Sequence, residues 1–372
     1  METQKPKVFK YLSIFIVFVV IALGGIATTN YLLNPLIYSR TAQAQAAEAL
    51  MSGKNIKIAD ANIDWRGLRR EHIARMTQTP EVLVFGGSRW QEAVGDSLPG
   101  HSMYTAFAQN DHLEDMMALT ELLTRHDRLP GTLVLSVRFA TFEELDKRVA
   151  WWWKTLAPEY LAMGERLGVE TRPWHEWFPK EKWASLFSVD LLTAKIAQYS
   201  KQRLIWEPTT QLHDQSFDIA GTDGALRFSE RRLKQENQEY ARRTSIAKGQ
   251  KDAKSRLTID RKLVAQLPVL LQFLKEKGVT VVFAQTPFHP AYYNEIKGSA
   301  YYGDLMKIES ELVNIAFAQS LQVIGGFDAS AVGCTPDQFR DFNHGDSDCL
   351  KKILSQIKLK PKAAPAAANN NL

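Results

Sequence analysis

The chain is poor in cysteine, with only Cys334 and Cys349 among its 372 residues. No CxxC pair and no Cys/His cluster with zinc-ligand spacing occurs, which excludes a zinc ribbon or finger. Internal repeats are also missing, and with them the solenoid and propeller architectures. Positive charge is lacking where a nucleic-acid binder would need it. The formal net charge is +5, yet residues 1–10 carry a net +2 (Glu2 against Lys5, Lys7 and Lys10) and residues 351–372 a net +5, with no acid. The remainder is left at −2, so the pI near 9.0 belongs to the two ends and no nucleic-acid partner is expected.

Apolar residues are plentiful, 45% against 23% charged, enough for at least one sizeable core. From Tyr11 to Ala27 runs YLSIFIVFVVIALGGIA, and no charge follows before Arg40. A bilayer-crossing helix needs about 20 residues, whereas a secretory signal uses roughly 7 to 15 apolar ones, so a transmembrane anchor suits this segment better. The alternative is a cut near Ala42-Gln43-Ala44, far beyond the apolar run. Three lysines precede the helix and only Arg40 follows it closely, so the positive-inside rule leaves the N-terminus in the cytoplasm and the body outside the membrane. In an oxidising compartment Cys334 and Cys349 are free to pair as a disulfide.

Residues 40–57 are polar and alanine-rich, the composition of a partly helical tether. Beyond them EVLVFGG (81–87), TLVLSVRF (132–139), VTVVFAQTP (279–287) and SLQVIGGF (320–327) read as buried parallel strands. Helical spacing occupies 111–126, 263–278 (ending at Gly278) and 303–319. The alternation predicts a parallel α/β sheet with its active residues at the strands' carboxyl ends. About 140 residues separate the second strand from the third, far more than a crossover requires. Seven of the nine tryptophans (Trp151, Trp152, Trp153, Trp174, Trp177, Trp183 and Trp206) fall there and mark a mainly helical insertion. Its plain reading is a satellite core; the sharper one is a lid, a sugar-stacking surface or a membrane-facing surface. The stretch from SERRLKQENQEYARR to KGQKDAKSR reads as a solvated charged face, and the closing PKAAPAAANNNL as a disordered tail.

Gly86-Gly87-Ser88-Arg89 stands where the first strand should turn into a helix, with the Ser88 Oγ at the sheet edge and helical N–H groups beside it. It is not a G-x-S-x-G elbow, because Trp90 takes the second glycine's place, and such a turn is more often only a helix cap. In FRDFNHGDSDC, Asp341 and His344 are three residues apart, so one turn brings carboxylate to imidazole Nδ1 and leaves Nε2 for a nucleophile. Asp346 and Asp348 match no metal-ligand spacing and read as caps of the last helix, so neither metal nor cofactor is expected. His289, in TPFHPAYY, belongs to the same sheet edge as a substrate contact or a satisfied loop histidine.

An anchor, then VLVFGGSR, LVLSVRF, VVFAQTPFHP and DFNH in that order, resembles the membrane-anchored branch of the SGNH (GDSL-like) hydrolase superfamily. That branch includes D-alanyl-lipoteichoic-acid transfer and alginate O-acetylation proteins. The resemblance covers roughly residues 80–145 and 275–358 and leaves the insertion unmatched. It implies a flavodoxin-like three-layer sandwich, with Ser88 as nucleophile, His344 as general base and Asp341 as its orienting partner. A Cys334–Cys349 bridge would then hold base and acid in register. Family members usually place an oxyanion-binding glycine after the second strand and an asparagine after the third. Here no glycine lies between Gly100 and Gly131, FAQND offers Asn110, and Arg138 follows LVLSV. Arg89, Asn110, Arg138 and His289 are therefore the oxyanion or substrate candidates.

The expected organisation is a cytoplasmic stub and anchor over 1–39, a linker and pre-domain helix over 40–79, an SGNH-like domain over 80–358 with an insertion at about 145–255, and a tail over 359–372. The expected function is a serine acyl esterase or O-acyltransferase on the periplasmic or extracellular side of a bacterial inner membrane. It would act on an acyl ester of a cell-surface glycan, alongside an integral-membrane acyltransferase. The alternatives are a catalytically silent scaffold that binds glycan or such an acyltransferase, and a soluble secreted esterase cut near residue 44.

Overall fold

The computed structural model describes residues 5–32, 35–58, 63–143, 155–171, 187–189, 192–193 and 206–359. Its first half runs α1 (Lys5–Leu32), α2 (Pro35–Met51), β1 (Asn55–Ile58), α3 (Trp65–Arg75), β2 (Val82–Gly86), β3 (Met103–Phe107), α4 (Leu113–Arg125), β4 (Thr132–Ser136) and α5 (Ala157–Leu167). Then come β5 (Trp206–Thr209), β6 (Asp218–Ala220), β7 (Leu226–Arg227), α6 (Glu230–Gln235), α7 (Gln238–Asp252), α8 (Arg261–Glu276), β8 (Thr280–Gln285), α9 (Pro290–Ile296), α10 (Ala300–Ala318), β9 (Gln322–Gly325) and α11 (Ser347–Leu354).

The expected parallel α/β sheet is present, with strand order β3-β2-β4-β8-β9, an order common in doubly wound sheets. Val84 lies beside Thr105 and Val134, and Val134 beside Val282. The strands read as unbroken apolar runs because both faces are covered. Leu83, Phe85, Leu133, Leu135, Val281 and Phe283 point into one core with α4, α5, α8 and α10. Their alternate neighbours Val82, Val84, Val134, Val282 and Ala284 point into the other, with Trp90 and α11. Asp260 starts α8 by accepting from the Lys262 N–H at 2.9 Å, and Gly278, at φ 76°, ends it in the left-handed conformation that glycine adopts without a Cβ clash.

The sequence had pointed to four strands, now β2, β4, β8 and β9; β3, at the edge, is the fifth. That edge is sealed by the 221–225 loop, where the Thr105 N–H donates to Asp223 O at 2.8 Å. Gly224, at φ 79°, lies so close that a Cβ there would stand 2.2 Å from Thr105 O.

One expectation about organisation needs correction. Residues 40–57 are not a free tether: α2 buries Ala46, Ala47 and Leu50 against Ile56 of β1 and Trp65 and Leu68 of α3. Beside the helices α5, α6 and α7, the described part of the insertion holds three short strands, and β5, β6 and β7 join β1 in an antiparallel sheet of order β5-β1-β6-β7. Trp206 opens β5, half-buried; Trp151, Trp152, Trp153, Trp174, Trp177 and Trp183 lie outside the described residues, as does the tail beyond Leu359. At the N-terminus, Phe9–Asn30 of α1 is apolar and long enough to cross a membrane; its apolar stretch is exposed, while Asn30 at its end is buried and donates to Ser188 O at 3.0 Å.

Candidate active site

The first strand delivers Ser88. Behind it, Gly86 and Gly87 permit two close approaches: a Cβ on Gly86 would lie 2.8 Å from Ser136 Cβ, and one on Gly87 2.2 Å from Asp111 Oδ1. Trp90, fully buried, pins the turn beneath the sheet. The segment Ser88–Trp90 is a single 3-10 turn, where the sequence had suggested a helix. Any oxyanion donor here is therefore a main-chain N–H at the start of a short turn, with no helix dipole behind it.

The second contribution comes from the loop between β9 and α11. Asp341 accepts from the main-chain N–H groups of Asn343 and His344 at 2.9 and 3.0 Å through Oδ1, which folds DFNH into a tight turn. Its Oδ2 stands 2.7 Å from His344 Nδ1, and His344 Nε2 stands 2.8 Å from Ser88 Oγ. With the proton on Nδ1 directed at Asp341, Nε2 accepts from the Ser88 hydroxyl. Burial by itself raises the Asp341 pKa, but the electrostatic attraction of the facing imidazole and the hydrogen bonds from His344 and Asn343 outweigh it and hold it at about 2. The loop is fastened at both ends. Cys334 and Cys349 form a disulfide, and Asp346 caps α11 by accepting from the Cys349 N–H at 2.9 Å. Arg340 pairs with Glu92 across the serine turn, and its N–H donates to His344 O at 2.9 Å.

Two cavities flank this cluster, with Asn110 in the wall of both. The smaller, about 200 Å³, holds Ser88, Asp341 and His344 with Gln91, Gln109 and Arg340. Its outer wall is Phe228, Arg232 and Glu236, so the insertion supplies part of the site. Phe228 lies between two guanidinium groups, 3.9 Å from that of Arg232 and 4.9 Å from that of Arg340. The larger cavity, about 610 Å³, is lined by Arg89, Arg138, Phe139, Lys248, Phe288, Tyr292 and Tyr301 among others.

The four oxyanion or substrate candidates are dispersed. Asn110 borders the triad cavity; Arg66 of α3 fixes it by donating to its carbonyl at 3.1 Å while gripping Asp115 through two bonds of 2.7 Å. Its φ is 48°, in the left-handed region. Arg138 instead pairs with buried Asp111 at 3.0 Å and lines the larger cavity. Arg89 lies there too, 2% exposed, stacked 4.5 Å over the Phe288 ring. Its pKa is pulled down to about 9, chiefly by burial and then by Arg138, which still leaves it charged at neutral pH. His289 fits the second of its two expected roles, the satisfied loop histidine: it lines neither cavity, its Nδ1 accepts from the Ala291 N–H at 2.9 Å to cap α9, and its own N–H donates to Phe342 O at 2.9 Å. It braces the DFNH loop from behind.

Sequence reasoning missed Asn343, Glu92, Arg340 and Phe228. Asn343 and Arg340 sit inside the FRDFNH segment already singled out, and their charge and amide chemistry was the available signal. Glu92 and Phe228 carry no local pattern, since their partners are far away in the chain. Among the described residues no three His, Cys, Asp or Glu side chains are grouped to hold a metal ion. Compared with protein-family models and with curated protein sequences, the chain finds no match.

Proposed function

We propose that the chain is a membrane-anchored serine acyl-ester enzyme of the SGNH type, with its body on the outer side of a bacterial inner membrane. It removes or transfers O-acyl groups on a cell-surface polysaccharide. The observation that carries this reading is the relay from Ser88 Oγ to His344 Nε2 at 2.8 Å and from His344 Nδ1 to Asp341 at 2.7 Å, open to a cavity at the carboxyl edge of a parallel sheet. Ser88 attacks the acyl carbonyl as His344 takes its proton, and Asp341 stabilises the imidazolium. The tetrahedral oxyanion is held by the Ser88 N–H and by Asn110, the carbonyl re-forms, and His344 returns the proton to the departing alcohol. Water or a sugar hydroxyl, deprotonated by His344, then releases the acyl group from Ser88.

Two further features support the SGNH assignment. The strand order is that of the flavodoxin-like sandwich the resemblance implies. Asn110 follows the second strand of the sheet, where family members usually have glycine, and has the positive φ that glycine adopts without penalty. The apolar helix with lysines on its N-terminal side supports an anchor with the body exported. The second reading is a silent scaffold that binds glycan or a membrane acyltransferase. It draws on Arg138, which stands where the family has an asparagine donor but is tied to Asp111.

Ser88→Ala decides between them. The variant is expected to lose turnover of a generic acetyl ester and covalent labelling by a fluorophosphonate. Full activity in Ser88→Ala would sink the enzyme reading, and biological function unchanged in both Ser88→Ala and His344→Ala would favour the scaffold.

A further inference from the structure

The apolar span of α1 ends in contact with the body. Its residues are exposed as far as Gly25, after which Ile26 and Ala27 are partly covered and Asn30 is fully buried. The Asn30 side-chain amide donates to Ser188 O at 3.0 Å, and the same carbonyl accepts from the Leu192 N–H at 3.2 Å. The span Phe9–Asn30 has 22 residues and so covers ~33 Å, close to the hydrocarbon thickness of a bilayer. In a membrane Asn30 then stands at the body-side boundary of the hydrocarbon, and Ile26, about one turn earlier, lies ~6 Å inside it. A body that covers Ile26 and buries Asn30 reaches down to the membrane surface, and the 187–189 segment is part of what reaches there.

What this segment presents there is apolar. Phe187 is 46% exposed and Val189 55%, each one peptide unit, about 3.8 Å from Cα to Cα, away from Ser188. Both side chains are uncovered in water; at the boundary between headgroups and acyl chains the same surface leaves water, which is favourable. The surrounding sequence has the composition of an interfacial segment. Residues 180–203 carry Lys180, Lys182, Lys195, Lys201 and Arg203 against Glu181 and Asp190, a net +3 within a body that is slightly acidic overall. Trp183, Leu186, Leu191, Leu192 and Ile196 accompany these charges in the chain, the mixture of basic, aromatic and aliphatic residues that lipid surfaces select.

We propose that Phe187 and Val189 form a second membrane contact beside the anchor, inserted at the boundary between headgroups and acyl chains of a bilayer that carries anionic lipid. The inference rests on the reading of α1 as a transmembrane anchor and adds that the body lies against the lipid instead of swinging from α1. A single helix leaves a body free to tilt; the contact at Asn30 together with insertion of Phe187 and Val189 removes that freedom. The insertion that makes this contact also supplies Phe228, Arg232 and Glu236 to the outer wall of the Ser88 cavity. Docking therefore holds that cavity at one height and one orientation above the leaflet.

The test uses the full-length protein reconstituted in vesicles of phosphatidylcholine with phosphatidylglycerol. Cys334 and Cys349 are joined to each other, so Phe187→Cys supplies the one thiol for an environment-sensitive fluorophore such as NBD. The label is expected to emit to the blue of its emission in water, and to be quenched when the lipid carries a nitroxide high on its acyl chain. In phosphatidylcholine alone both effects are expected to be weaker. Val189→Asp, at an exposed position that spares the core, is expected to shift the docked population about tenfold or more toward undocked and to remove most of the quenching, with an unchanged melting temperature. Unquenched, water-like emission from protein that is in the vesicles overturns the lipid contact and leaves the face to a protein partner. A blue shift that vanishes as the protein is diluted into excess lipid overturns it in favour of a second copy, and undiminished quenching in Val189→Asp overturns it as well. The anchor is read separately by alkaline carbonate extraction: release from the vesicles fails the anchor and the contact with it, whereas retention without quenching fails the contact alone.

Discussion

At the scale of single residues, the site is a set of short-range constraints around one serine. Asp341 illustrates how they couple to pH. Its carboxyl is held at about 2, below the ordinary value near 3.8, so the unfolded chain takes up the proton first as pH falls. The stability it contributes is complete above the ordinary carboxylate range and is lost as pH drops through about 2. Denaturant midpoints of the parent and of Asp341→Asn, compared from neutral pH downward, are expected to differ most at neutral pH and to converge below about pH 4 toward pH 2. A constant difference across that range would contradict the pairing. Ser88, Asp341 and His344 were legible in sequence because each lies in a local pattern: a glycine turn after an apolar run, and an acid three residues before a histidine. Arg138 was not readable in the same way. Its partner Asp111 sits 27 residues earlier, after a strand that the sequence did not reveal.

Among the elements, the loop from Cys334 to Cys349 matters most, because it presents both Asp341 and His344. The disulfide closes a sequence separation of 15. Replacing both cysteines by alanine is expected to lower unfolding stability by about 3 kcal/mol in the chain-entropy account, read from denaturant midpoints under non-reducing conditions. An unchanged midpoint would show that the Arg340–Glu92 pair and the α11 cap already hold the loop. The central strands β2, β4 and β8 were legible because burial on both faces leaves continuous apolar runs. The edge strand β3, MYTAF, mixes Tyr and Thr with apolar residues and gives no such run. The small antiparallel sheet was invisible for a different reason: β6 and β7 have three and two residues, too few for periodicity to register, and β6 pairs on its other side with β1, more than 150 residues earlier in the chain.

For the whole molecule, the anchor and the body meet at α2. Because Ala46, Ala47 and Leu50 of α2 pack into the body, the folded domain begins within α2 and not at the end of a tether. Removing residues 1–32 is expected to yield a soluble, monodisperse protein. Removing residues 1–51 strips the cover from Ile56 and Leu68 and is expected to give aggregation or a lowered melting temperature, both visible by gel filtration and thermal melts. Equal behaviour of the two truncations would mean that α2 contributes nothing to the body. A signal-peptidase cut near residue 44 would likewise split α2 and leave its last turns, with Ala46, Ala47 and Leu50, still in place.

The position of β1 between β5 and β6 carries a consequence in time. Ile56 pairs with Pro208 and with Ala220, so the strand is made long before either neighbour exists. At ~5–20 residues per second, the ribosome needs roughly 8 to 30 s to supply them. Through that interval the earliest strand of the body is an open edge, available to any passing strand or holding chaperone, and the Ser88 turn has been synthesised without the Phe228 wall that will later enclose it.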